Sequence, residues 1–160
     1  MNSYHNIQFT YLEGFQIRFD SSDKTPAHTS QSHQLFYLKE GEASVTIDGN
    51  TIALKKNELC LIPVNTSYTY QSTGQFFHCQ FDARTYDTRD LFEFIQIPYV
   101  LKPDTPLLSE QLFGRLIKTT QDDDFERSTI LQLLLCPFLI HAEKNKCSKA
   151  ENRLRPVFDY

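Results

Sequence analysis

The sequence predicts a mainly β fold with C-terminal helices: a small antiparallel β-barrel followed by an antiparallel helix pair. Three observations carry this. Short apolar-alternating segments separated by turn residues crowd the first hundred or so positions. One of them, Glu42-Ala43-Ser44-Val45-Thr46-Ile47-Asp48, is apolar at odd and polar at even numbers, the period-two signature of a half-buried antiparallel strand. After Pro98, Pro103 and Pro106 the apolar spacing becomes helical.

Taken in order, strands are expected at 6–11 and 15–20, flanking a turn at Glu13-Gly14. A polar loop follows over 21–32. Six further strands are expected at 34–39, 42–48, 51–54, 58–63, 67–71 and 75–83. Asp48-Gly49 suits a two-residue hairpin turn, whose central residues need positive φ. Asn57 suits the next turn, because Asn tolerates the left-handed region. The helical part begins near residue 104. A helix over 107–120 places Leu108, Leu112, Phe113, Leu116 and Ile117 at helical spacing. Asp122-Asp123-Asp124 breaks it and N-caps a second helix over 125–146, with Pro137 expected to kink that helix. In the second helix Ile130, Leu134, Pro137, Phe138 and His141 form one stripe, and Leu131, Leu135 and Leu139 form another. One barrel wall needs a single stripe about 100° wide. The surplus predicts a twofold dimer through Ile130, Leu131, Leu134, Leu135 and Phe138, because soluble monomers seldom expose such a patch.

Composition narrows the function. The chain has 160 residues, 40% hydrophobic and 22% charged, enough for one domain that needs no disulfide or metal to fold. Sixteen Lys+Arg against 20 Asp+Glu give a net charge of −4. An acidic chain is poorly suited to grip nucleic acid by itself, since phosphate contacts demand a basic face. No apolar run reaches the ~20 residues of a membrane span, and the N-terminus lacks a secretory signal pattern, so a cytoplasmic protein is expected. Cys60, Cys79, Cys136 and Cys147 never fall in a C-x-x-C pair and are expected to be reduced and structural. There is no G-x-S-x-G, no phosphate-cradling loop and no Cys–His pairing by known local spacing, so no enzyme is expected.

The segments 34–49 and 54–68 resemble the two motifs of a cupin barrel, a jelly-roll type of fold. The metal-binding cupin pattern, anchored on Gly41 and Pro63, puts its ligand positions at His28, Ser30, Gln34 and Tyr68. One histidine in four positions, or two with His33, cannot supply the donors of a catalytic Zn, Fe or Mn site, so no metal or cofactor is expected. More specifically, the Leu-x-Tyr-x-x-x-Gly-Glu-Ala-x-Val run at 35–45, the Ile-Pro-x-Asn-x-x-Tyr-x-Tyr segment at 62–70 and the aromatic strand Phe76-Phe77-His78-Cys79-Gln80-Phe81 resemble the N-terminal sensor domain of AraC/XylS-type transcription regulators. Tyr68 stands where a histidine is frequent, and Asn57 and Asn65 stand where glycines are usual. The resemblance implies a barrel over 1–104, a dimerising helical hairpin over 105–150 and, at 151–160, the start of a linker. Arg153-Leu154-Arg155-Pro156-Val157-Phe158-Asp159-Tyr160 matches the beginning of that linker. It also implies a small-molecule effector inside the cup, a homodimer, and DNA contact only through a C-terminal helix-turn-helix domain that is missing from this chain. Strand parity then selects the lining: Gln34, Phe36, Tyr68, Tyr70, Phe76, His78 and Gln80. Aromatic walls with a few polar groups fit a stacked sugar or a small aromatic acid. Arg18, Lys24 and Arg84 are the nearest cations for an acid; His5 lies in an N-terminal arm and His141 on a helix surface. A stand-alone cupin isomerase or dioxygenase with a degenerate metal site is the alternative.

Overall fold

The computed structural model describes residues 7–19, 26–85, 87–119 and 123–158, with side chains described as far as residue 145. Seven strands form one antiparallel sheet: β1 (Gln8–Phe19), β2 (His28–Thr29), β3 (His33–Ile47), β4 (Asn50–Leu54), β5 (Leu59–Ile62), β6 (Ser67–Arg84) and β7 (Val100–Leu101). Two helices follow, α1 (Pro106–Lys118) and α2 (Asp124–Phe158). Among the described residues no helix is long and apolar enough to cross a membrane.

Strands β3 and β6 pair along almost their whole length, from His33 opposite Phe81 to Ile47 opposite Tyr68, and both barrel walls share them. One wall runs β1-β6-β3-β5-β7. In the other, β4 pairs the far half of β3, and β2 pairs the near end of β6. Gly41 and Gly74 face each other between the two halves, with φ of 91° and 97°. A Cβ on Gly41 would lie 2.0 Å from the Thr73 carbonyl oxygen, and one on Gly74 2.2 Å from that of Glu40. Only glycine fits so close a backbone approach. A bulge between Leu38 and Glu40 shifts the phase of β3. Even-numbered residues (Phe36, Leu38) therefore enter the barrel before the bulge, and odd-numbered ones (Ala43, Val45, Ile47) after it.

The hydrophobic residues divide into two clusters. Phe36, Leu38, Val45, Ile47, Leu54, Cys60, Ile62, Tyr68, Tyr70 and Phe76 face inward between the walls. Leu35, Tyr37, Leu59, Leu61, Phe77, Cys79 and Phe81 leave the same strands on the opposite face, where Phe113 and Leu116 of α1 and Ile130, Leu131, Leu134, Leu135 and Phe138 of α2 cover them.

Several expectations are corrected here. Glu13-Gly14 is not a turn: β1 is continuous through it, with a bulge between Tyr11 and Glu13, and Gly14 pairs with Cys79. The strands expected at 34–39 and 42–48 are one strand, as are those at 67–71 and 75–83. The loop expected over 21–32 contains β2, and β7 lies where no strand was expected. The five α2 residues expected at a dimer interface are instead buried within the same chain, each 4% exposed or less. The sheet and α1 together cover these five positions, while Pro137 and His141 of the first stripe are half-buried.

Local signals read from sequence reappear elsewhere. Asp48, Gly49 and Asn57 have positive φ. Asp123 Oδ1 accepts the Glu126 amide at 3.1 Å, capping α2. The helix continues through Pro137 and on to Phe158, so its backbone spans most of the linker-like stretch; Asp159 and Tyr160 lie outside the described residues.

Candidate functional site

The barrel interior joins an aromatic stack to a chain of uncharged polar groups. Phe36 lies parallel to His78, with ring centroids 4.4 Å apart, and parallel to Tyr70 at 5.1 Å. Phe76 tilts against both Phe36 and Tyr70, and Phe15 meets His78 edge-on at 4.8 Å. The polar chain starts at Gln80, whose Oε1 accepts from the Ser32 hydroxyl at 3.2 Å. Gln34 Nε2 donates to the Ser32 carbonyl at 3.2 Å, and Gln34 Oε1 meets His78 Nε2 at 2.5 Å. Register explains the assembly: Gln34 sits opposite Gln80 and Phe36 opposite His78 on adjacent strands. Burial holds the His78 pKa down to about 4, helped by the nearby His28, so the ring is neutral near pH 7. Burial also pushes the Tyr68 hydroxyl up to about 12 and that of Tyr70 upward. Of the seven predicted lining residues, six belong to this stack and chain. The seventh, Tyr68, packs in the same cluster, with its ring 4.3 Å from His28 at the start of β2.

The four cupin metal positions do not make a metal site. The Ser30 hydroxyl donates to the Pro63 carbonyl at 2.7 Å. Gln34 is engaged at both ends of its amide, and the Tyr68 hydroxyl keeps its proton. His28 alone offers a strong ligand, too few for any common metal geometry.

The family model for the AraC-like ligand binding domain matches residues 9–135, from the first strand into the second helix. The chain belongs to that family. No curated protein sequence matches it. Among solved structures the AraC-like domain is similar to cupins. A cupin superfamily protein from Desulfitobacterium hafniense is 18% identical with a TM-score of 0.36, the match covering 48% of this chain and 76% of that one. KdgF from a Halomonas species is 17% identical with a TM-score of 0.39, over 56% of this chain and 89% of that one. A salicylate 1,2-dioxygenase from Pseudoaminobacter salicylatoxidans, in complex with gentisate, is 22% identical with a TM-score of 0.35; there the match covers 42% of this chain and 18% of the other.

A second polar cluster of the AraC-like domain lies outside the barrel, in a cleft of about 520 Å³ lined by His33, Asp82, Arg84 and Asp90 among others. Sequence reading passed over it, because His33 appeared only as a substitute for His28. The alternation of β3 is the signal that separates them, since His33 faces away from Gln34. Side-chain atoms of His33, Asp82 and Asp90 lie within 4.8 Å of one another, close enough for a shared cation. The protonation of His33 argues against one. Its Nδ1 accepts the Val64 backbone N–H at 2.9 Å, so Nε2 carries the proton and faces Asp90 Oδ1 at 2.5 Å. Neither nitrogen has a lone pair to give. Burial lowers the His33 pKa, with Asp90 pulling the other way, which fits the same neutral tautomer.

Of the cations named from sequence, the two that are described, Arg18 and Arg84, do not converge on the barrel interior. Arg18 is exposed on β1, and Arg84 is paired with Asp82 at 2.9 Å. Lys24 and His5 lie outside the described residues, and Cys147 lies in α2 beyond the described side chains. His141 is half-buried, with its Nδ1 3.3 Å from Asn145 Nδ2.

Proposed function

We propose that this AraC-like domain is the effector-sensing and dimerisation half of a cytoplasmic transcription regulator. A small molecule binds between the barrel walls and controls a C-terminal DNA-binding domain of the full protein; the domain itself performs no chemistry. The observation that carries the reading is the buried chain Gln80–Ser32–Gln34–His78 lying against the Phe36–Tyr70 stack. Polar groups held in order beside aromatic rings are the usual make-up of a small-ligand site. Gln34, Phe36, Tyr68, Tyr70, Phe76, His78 and Gln80 are the proposed contacts.

In the full-length regulator, Tyr68→Ala and His78→Ala are expected to weaken effector-dependent transcription while the purified domain keeps its circular dichroism spectrum. Wild-type responses from both variants in a promoter–reporter assay would refute the assignment.

Dimerisation is proposed through the outer face of the helix pair. Leu108 on α1 and Leu133 and Ile140 on α2 are 50–53% exposed, and with Cys136 they border a groove of about 430 Å³. A second copy related by a twofold axis would bury this face against itself.

A further inference from the structure

The orientation of one amide fixes what the barrel offers a ligand. The Ser32 backbone carbonyl can only accept, so the Gln34 group facing it at 3.2 Å is the NH₂. The oxygen of Gln34 then faces His78, and an amide oxygen can only accept. His78 must therefore carry its proton on Nε2, which leaves Nδ1 with a bare lone pair. His78 is 8% exposed, and among the described residues none donates to that nitrogen. The inner cluster and its polar chain contain no Asp, Glu, Lys or Arg among the described residues. Arg18 lies between Ile17 and Phe19, which pack on the interior, so alternation sends its side chain out on the opposite face. An ionised ligand placed here would lose its hydration without gaining a counter-charge from Asp, Glu, Lys or Arg among the described residues.

We propose that the barrel selects an uncharged effector, one that donates a hydroxyl or amide proton to Nδ1 of His78. This rests on the reading of the barrel interior as the effector site. It retains the sugar-like half of the ligand classes expected from sequence and rejects the acidic half. Specificity is negative as much as positive: a carboxylate brings a second acceptor to a lone pair with no lysine or arginine beside it among the described residues.

The test uses three ring probes of similar size, phenol, benzoate and benzylammonium, added at millimolar concentrations to the purified chain labelled with ¹⁵N-histidine. Phenol is expected to shift the Nδ1 resonance of His78 and to bind at least roughly tenfold more tightly than either ion. The His78→Phe variant, which keeps a ring in the stack, is expected to lose about tenfold in phenol affinity, the value of one hydrogen bond. Benzoate or benzylammonium shifting His78 at equal or better affinity would overturn the inference and leave the effector site standing. If none of the three probes moves His78, the reading of the barrel as an effector site falls instead. The wild-type Nδ1 shift decides the matter even if the variant does not fold.

Discussion

His78 is a histidine kept neutral by its surroundings, and its cost appears only when acid is added. Burial places its pKa near 4 in the folded chain, against about 6.5 for a free histidine. The unfolded chain therefore binds the extra proton first. Stability is unaffected above about pH 6.5, falls as pH drops through the window from 6.5 to 4, and loses on the order of 3 kcal/mol from this residue by its lower end. His33, also depressed, acts in the same direction. Urea melts from pH 7.5 to 4.5 should show the decline, and His78→Gln, whose amide can still donate to Gln34, should flatten it. An unchanged slope in the variant would mean that His78 is not the buried titrating group. Strand parity in the sequence was enough to mark Gln34, Phe36, Tyr70, Phe76, His78 and Gln80 as neighbours. The His78–Gln34 bond was not legible, because it depends on the register between residues 44 positions apart.

At the level of the strands, the sequence showed the right pieces with the wrong joints. Lys39-Glu40-Gly41-Glu42 and Ser72-Thr73-Gly74 have the composition of turns, and the inward parity of β3 changes across the first of them. A turn and a bulge followed by a glycine contact leave the same trace, and only the pairing partner distinguishes them. The difference is testable at two glycines that both have positive φ. Gly49, in the Asp48-Gly49 turn, has no atom within 4 Å of an added Cβ, whereas Gly41 would meet the Thr73 carbonyl oxygen at 2.0 Å. Gly49→Ala should cost about 1–2 kcal/mol, the left-handed backbone penalty alone. Gly41→Ala should cost clearly more, because the long β3–β6 pair must part to admit the methyl group. Equal losses in chemical denaturation would show that the close approach of the two strands contributes nothing.

For the molecule as a whole, the helix pair decides between one copy and two. Periodicity in α2 revealed more apolar surface than a single wall requires, and that surplus exists, but it lies on a different stripe from the one expected. Leu131 and Leu135 are fully buried, while Leu133 is 53% and Ile140 50% exposed on the same helix. A helix sequence shows how many apolar stripes there are, whereas the facing sheet and α1 determine which of them is covered. The two stripes should respond in opposite ways to substitution. Leu131→Ala removes packing from the cluster between sheet and helices and should cost about 2–5 kcal/mol, whatever the oligomeric state. Leu133→Glu combined with Ile140→Glu touches only exposed positions, so thermal stability measured at low concentration should barely change. The same pair of changes places charge on both sides of a twofold contact, where each glutamate faces an apolar stripe and its own symmetry mate. Sedimentation equilibrium should then show a dimer for the wild-type chain and a folded monomer for the double variant. A wild-type chain that stays monomeric at high micromolar concentration would reject the dimer, and a double variant that remains dimeric would move the interface to another face.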